Sequence, residues 1–291
     1  MDTAVVDRTD ADARPIRNAM TVDVEDYFQV SAFADVVKRS EWDSIEGRVE
    51  ANTGRVLELF AAAGARATFF TLGWVAERHP ALIRRIVAEG HELASHGLEH
   101  KRVSDQTAEA FRTDIRRTKR ILEDVSGGPV VGYRAASFSI GAATPWAHRV
   151  LAEEGYKYSS SIYPVRHDHY GMPDAPRFAY RPDGAAGVLE VPMTTVRLMG
   201  RNLPCSGGGY FRLMPYAIAR RAIALVNKRE HQPAVFYFHP WEVDPAQPRP
   251  SGISAKTRFR HYLNLGRMAG RLGELLSDFA WERMDRVYPI A

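Results

Sequence analysis

Cysteine is nearly absent from this chain: Cys205 stands alone among 291 residues. That excludes an internal disulfide and any cysteine-based metal cluster. No stretch approaches the roughly 18 consecutive apolar residues that a membrane span needs. The opening MDTAVVDRTDADARPIRNAM is polar and acidic where a signal peptide is apolar, so the chain reads as soluble and cytoplasmic, with export by an unseen route left open. There is no Lys/Arg block. The formal net charge is only +4, and the arginines are scattered along amphipathic segments as solvated faces, which argues against a nucleic-acid partner. A Gly-rich dinucleotide fingerprint is missing too, which weakens any doubly wound reading.

What is present is a rhythm. A helical stretch, a glycine stop and a short apolar strand recur in RVLELFAAAGARATFFTLG, ALIRRIVAEGHELASHG and WAHRVLAEEGYKYSSSIYP. Gly64, Gly90 and Gly155 stand where a left-handed helix terminus needs a residue without Cβ. Such alternation predicts a mostly parallel sheet. Strands are expected at 19–24, 67–71, 92–95, 130–133, 158–162, 188–192 and 235–238, with a last one near 279–283. The expected fold is α/β, a distorted or incomplete (β/α) barrel of about seven parallel strands. Residues 1–17 read as a disordered tail and 18–291 as a single domain. Its Pro- and Gly-rich region around 163–212 reads as a loop-rich insertion.

In a parallel barrel the strand C-termini converge on one mouth, where catalysis belongs. The first strand ends in Asp23, Glu25 and Asp26; SHGLEH brings His96 and His100; GYRAASF brings Arg134; FYFHPWE brings His239. Two neutral imidazoles beside a carboxylate form a three-ligand set for a divalent metal, with positions left for water. The strand pleat places Asp23 and Glu25 on one side and Asp26 on the other. RHDHYG, with His167, Asp168 and His169, lies in irregular chain and reads as a loop tip or substrate contact rather than a metal site. SGGGYFR lacks the GK[ST] of a phosphate loop and reads as a tight turn that brings backbone close to a ligand.

The ordered set TVDVED, SHGLEH, GYRAASF and FYFHPWE resembles the polysaccharide deacetylases of carbohydrate esterase family four (NodB homology). VEDYFQV, HDHYG, GGGYFR and RHYLNL are similar to the branch linked to exosortase and exopolysaccharide loci. The resemblance covers about residues 18–285 and implies a metal-dependent de-N-acetylase. Asp23 matches the general base, His96 and His100 the metal-binding histidines, Arg134 the arginine that holds the base, and His239 the general acid. The implied metal is zinc, with cobalt, nickel or manganese as substitutes. Most of the family has adjacent aspartates, but Val24 follows Asp23 here; an Asp-x-Asp sub-branch maps the ligand onto Glu25, with Asp26 as the alternative. The usual Arg-x-Pro-aromatic motif is RAAS, which bears on the oxyanion donor near Ala136 and Ser137. The motif that elsewhere tunes the acid is replaced by YSSSIYP.

The implied partner is an N-acetylated glycan or glycan precursor. Phe138, Tyr163, Tyr210, Phe211 and Trp241 are sugar-stacking candidates unless they belong to the core. His167, Asp168 and Arg212 are further candidate substrate contacts. Two other readings stand beside this one: hydrolysis of a small amide, as in the allantoinase-type branch, and a catalytically weak glycan-binding subunit of an envelope assembly.

Overall fold

Apolar runs alternating with amphipathic helices build one curled sheet in the computed structural model, which describes residues 15–168, 170–182, 187–288 and 290. Its strands are β1 (Arg17–Val24), β2 (Thr68–Thr71), β3 (Glu92–Ser95), β4 (Gly132–Tyr133), β5 (Tyr158–Ser159) and β6 (Leu189–Glu190). A separate antiparallel hairpin follows, β7 (Thr195–Leu198) and β8 (Arg201–Pro204), and then β9 (Val235–Phe238) and β10 (Ala280–Glu282) return to the main sheet. Among the described residues every pairing between strands of that main sheet is parallel, and Tyr180 adds an isolated antiparallel bridge to Glu190 of β6. β1 pairs β9 along Ala19–Val22, β2 along Thr21–Val24 and β10 along Arg17–Ala19. The ladder then runs β2-β3-β4-β5-β6 and stops, so the barrel is incomplete. Across the opening, the Val235 N–H donates to the Thr194 hydroxyl at 2.6 Å, a side-chain contact in place of a ladder.

The helices are α1 (Val49–Ala63), α2 (Gly73–Arg78), α3 (Pro80–Ala88), α4 (Ala108–Ser126), α5 (Ala147–Glu153), α6 (Gly208–Leu213), α7 (Tyr216–Glu230), α8 (Ala255–Tyr262), α9 (Leu265–Asp278) and α10 (Met284–Val287). In α4 the buried residues Phe111, Ile115, Thr118 and Leu122 recur at the helical three-to-four spacing, so one stripe faces the sheet. α1 ends at Gly64 with φ 63°, whose N–H closes on the carbonyls of Phe60 and Ala61, the left-handed stop expected from the sequence. No helix among the described residues is long and apolar enough to cross a membrane.

β2, β4, β6 and β10 are shorter than expected by one to three residues, and three differences are larger in consequence. β1 begins at Arg17, inside the expected tail, while residues 1–14 lie outside the described residues. β5 stops at Ser159 rather than residue 162. The N–H groups of Ser161 and Ile162 turn instead to the buried Glu190 carboxylate, at 2.8 and 2.9 Å. The region 163–212 is not all loop: it contains β6, the β7–β8 hairpin and most of α6.

Candidate active site at the strand C-termini

The pleat of β1 turns Thr21 and Asp23 to the same side, and Arg134, one residue past β4, reaches both. Its Nη1 donates to Asp23 Oδ1 at 2.6 Å and to Thr21 Oγ1 at 2.8 Å. Its Nε and Nη2 bond the carbonyl and hydroxyl of Ser160, both at 3.0 Å. The guanidinium is fully buried, so these partners are what make its charge tolerable. It also lies over the Phe70 ring, 4.1 Å from the centroid.

Glu25 stands where the strand has ended. Its N–H closes on the Asp23 carbonyl at 3.1 Å, so a turn rather than the pleat directs its side chain. Glu25, His96 and His100 bring one ligand atom each to within 4.8 Å of one another, and all three side chains are buried. His96 Nδ1 donates to the Arg134 carbonyl at 2.9 Å, which leaves Nε2 with a free lone pair. Burial pushes the His96 imidazole down to about 4, so it is neutral near pH 7, as a ligand must be. Glu25 Oε2 is 3.0 Å from His100 Nε2, yet that buried oxygen has no hydrogen-bond partner. An unsatisfied buried carboxylate oxygen facing two imidazoles suits a shared divalent cation, so the donor set fits the metal that the resemblance implies. Burial raises the Glu25 carboxyl, but the fields of His100, His239 and His96 outweigh it and hold it near 2. Behind His100, Ser31 Oγ lies 3.5 Å from Nδ1 and 2.7 Å from Ser137 Oγ. His100, Ser137 and Phe138 all hold positive φ, a concentration of backbone strain at the mouth.

His239 follows β9, and a short 3-10 turn, Pro240–Val243, folds Glu242 back onto it. Glu242 Oε1 accepts from His239 Nδ1 at 2.9 Å and from its backbone N–H at 3.1 Å. Glu242 Oε2 accepts from Arg212 Nε at 2.6 Å. The remaining Arg212 donors go to the carbonyls of His261, Leu263 and Arg260. His239 Nε2 therefore faces the site, 3.5 Å from Glu25 Oε1. Burial works against charge on His239, but the hydrogen bond to Glu242 and the negative fields of Glu25, Glu242 and Asp23 prevail, raising it to about 9. Gly208 explains the glycine run: a Cβ there would meet Glu242 Oε1 at 1.9 Å. The close approach is thus to Glu242, not to a ligand.

Several expected substrate contacts have other work in this structure. Arg212 is buried and committed to Glu242. Trp241 is sandwiched between His239 and His261, with centroids 5.0 and 4.1 Å away, so it is a wall rather than an open platform. Phe138, Tyr163 and Phe211 are buried; the Tyr163 hydroxyl donates to the Ser206 carbonyl, and Phe138 packs on Tyr163, Tyr170 and Tyr237. Tyr210 is half-buried beside this group. His167 stacks on Tyr170 at 4.0 Å, while Asp168 is exposed and pairs with Lys256 and Arg260 of α8, which lowers its carboxyl. His169 lies outside the described residues.

Asp26 is not with the metal-type cluster. Its Oδ2 accepts from the N–H groups of Arg48 and Val49, so it anchors the start of α1. The N–H directly after Arg134, that of Ala135, is spent on Ser161 Oγ at 2.9 Å. The sequence reading missed Glu242, Ser31, Thr21 and Ser160. Of these only Glu242 carried a signal, a carboxylate three residues after the histidine in FHPWE.

Residues 41–159 match the polysaccharide deacetylase family, and residues 160–289 match a domain of unknown function, DUF3473. The first match contains His96, His100 and Arg134, the second contains His239 and Glu242, and Asp23 and Glu25 precede both. The two segments meet at the end of β5, within one sheet. A chitooligosaccharide deacetylase from Rhizobium leguminosarum bv. trifolii is 38% identical over 79 residues, 27% of this chain and 36% of that protein. The chain therefore spans about a third of that relative's length. In fold it is similar to PuuE allantoinase, with a TM-score of 0.60, 17% identity and coverage of 94% of this chain and 88% of that one. It is similarly close to a Mycobacterium smegmatis protein assigned by inference to the polysaccharide deacetylases (TM-score 0.59, 21% identity, 96% and 91% coverage). Over residues 41–159 the chain carries a polysaccharide deacetylase domain.

Proposed function

We propose that the chain is a metal-dependent hydrolase that removes N-acetyl groups from an amino-sugar polymer or its precursor, in exopolysaccharide biosynthesis or modification. The observation that carries this reading is the buried Glu25–His96–His100 cluster standing beside the Asp23–Arg134 pair. Glu25, His96 and His100 would hold the cation, which when bound supplies an acidified water and positive charge for the developing oxyanion. Asp23 accepts the proton of the attacking water, and Arg134 fixes its orientation. The oxyanion takes an N–H from Ala136 or Ser137, because that of Ala135 is already engaged. His239, kept cationic and aimed by Glu242, protonates the departing nitrogen, since an amine anion is a very poor leaving group. Water and the N-acetyl group become acetate and a free amine.

The test is acetate release from N-acetylglucosamine oligomers, with and without chelator, together with metal content after purification. Wild type is expected to hold about one divalent ion and to release acetate; His96→Ala and Glu25→Ala are expected to lose both. Retained metal in Glu25→Ala with loss in Asp26→Ala would reverse the ligand assignment. Stoichiometric metal without acetate release would favour the small-amide reading, which the fold likeness to allantoinase keeps in view. Neither metal nor acetate would leave the glycan-binding reading.

A further inference from the structure

From Val191 to Arg229 the sequence contains no Asp or Glu but seven Lys and Arg residues. Among the described residues, seven large apolar side chains are exposed, and five of them, Leu198, Met199, Leu203, Leu213 and Ile218, fall in this same stretch. Three sit on the β7–β8 hairpin, which pairs with no other strand among the described residues. The register places Val196 opposite Leu203 and Leu198 opposite Arg201. Paired residues share a face, so Val196, Leu198 and Leu203 form one apolar surface with Arg201 at its tip. Met199 and Gly200 make the turn, both at positive φ, and Met199 is 93% exposed. Asn would serve this turn position better, and water solvates a methionine poorly, so the tip gains nothing in the free protein. Arg197 and Arg201 flank it, exposed, with no ion pair to either among the described residues.

We propose that this hairpin is a docking element for an anionic membrane surface: Leu198 and Met199 enter the boundary between headgroups and acyl chains, while Arg197 and Arg201 bind lipid phosphates. The inference stands apart from the catalytic reading. A few apolar side chains suffice for shallow interfacial insertion, and arginines extend toward the headgroups above them. They fall short of a standard protein interface, which buries about 800 Å² per partner. A two-fold contact between copies would bring the same patch against itself and set Arg197 and Arg201 against their own symmetry mates.

The experiment is co-sedimentation with vesicles of phosphatidylglycerol and phosphatidylcholine, against vesicles of phosphatidylcholine alone. Wild type is expected to pellet with the mixed vesicles and roughly tenfold less well with the neutral ones, and the difference is expected to shrink in high salt. The double variants Leu198→Ser/Met199→Ser and Arg197→Gln/Arg201→Gln are each expected to lose about tenfold or more in partition. Their thermal midpoints should match wild type, because the replaced side chains are exposed. Wild type remaining in the supernatant, or the Ser double variant pelleting as well as wild type, overturns the proposal. A dimer by light scattering that the Ser double variant disrupts, without vesicle binding, overturns it in favour of a second copy.

Discussion

Glu25 and Glu92 are two buried carboxylates at opposite ends of one sheet, and their surroundings shift their proton affinities in opposite directions. Glu92 begins β3 at the barrel floor. Its partners there are the hydroxyls of Thr68 and Tyr158, at 2.5 and 2.9 Å, and the Asp285 N–H at 3.2 Å. Burial and the like charge of Asp285 outweigh those donors and raise its carboxyl to about 7. Glu25 is at least as deeply enclosed, yet it faces imidazoles and is held near 2. Neutral donors satisfy lone pairs but do not offset the desolvation of a full charge; a nearby cation such as His239 contributes what they cannot. The floor thus favours proton uptake, while the mouth holds a negative charge.

The most damaging way to break this contrast is Arg134→Met, which removes the cation paired with Asp23. We expect a loss of about 3–5 kcal/mol by urea unfolding, together with loss of acetate release. Adding Asp23→Asn is expected to restore much of the stability and none of the activity; an unstable double variant would mean that Arg134 supports the sheet by some other route.

Next in size is Glu242→Gln, which withdraws the anion that aims His239. Acetate release from an N-acetylated oligomer is expected to fall about 100-fold, mostly in kcat with KM nearly unchanged. Hydrolysis of 4-nitrophenyl acetate, whose leaving group needs no proton, should fall far less. Equal losses on both substrates would refute an acid-positioning role.

At the floor, Glu92→Gln addresses stability alone. The carboxyl binds its proton more tightly folded than unfolded, so its contribution is complete below about 4.5 and fades as pH rises through about 7. Wild type is expected to lose on the order of 2–3 kcal/mol relative to Glu92→Gln between pH 4.5 and 8. The difference between the two proteins is the quantity to follow, because His91, pushed down to about 4 by burial, slopes the opposite way below about 6.5. Parallel profiles would show Glu92 to be ionised in the native state.

The strands were readable from sequence because each apolar run is local and bounded by its own helix stop. The convergence of Asp23, His96, His100, Arg134 and His239 followed from parallel strands sharing one mouth. The remainder depends on contacts that no local pattern carries. Asp26 looks like a ligand until Arg48 and Val49 present their N–H groups to it from 22 and 23 residues away. Glu242 lies in plain view in FHPWE, but its role requires a tight turn onto His239 and an arginine thirty residues earlier. Aromatic residues announce themselves by composition and not by burial, which is why Trp241 and Tyr163 were expected at the sugar.

The contact between Gly208 and Glu242 has an evolutionary consequence. Any side chain at 208 occupies the volume of the carboxylate bonded to His239, so position 208 cannot drift while Glu242 stays where it is. Alanine at 208 would force the Glu242 carboxylate out of its place between His239 and Arg212. Divergent chains that keep the carboxylate at 242 should therefore keep glycine at 208, thirty-four positions upstream.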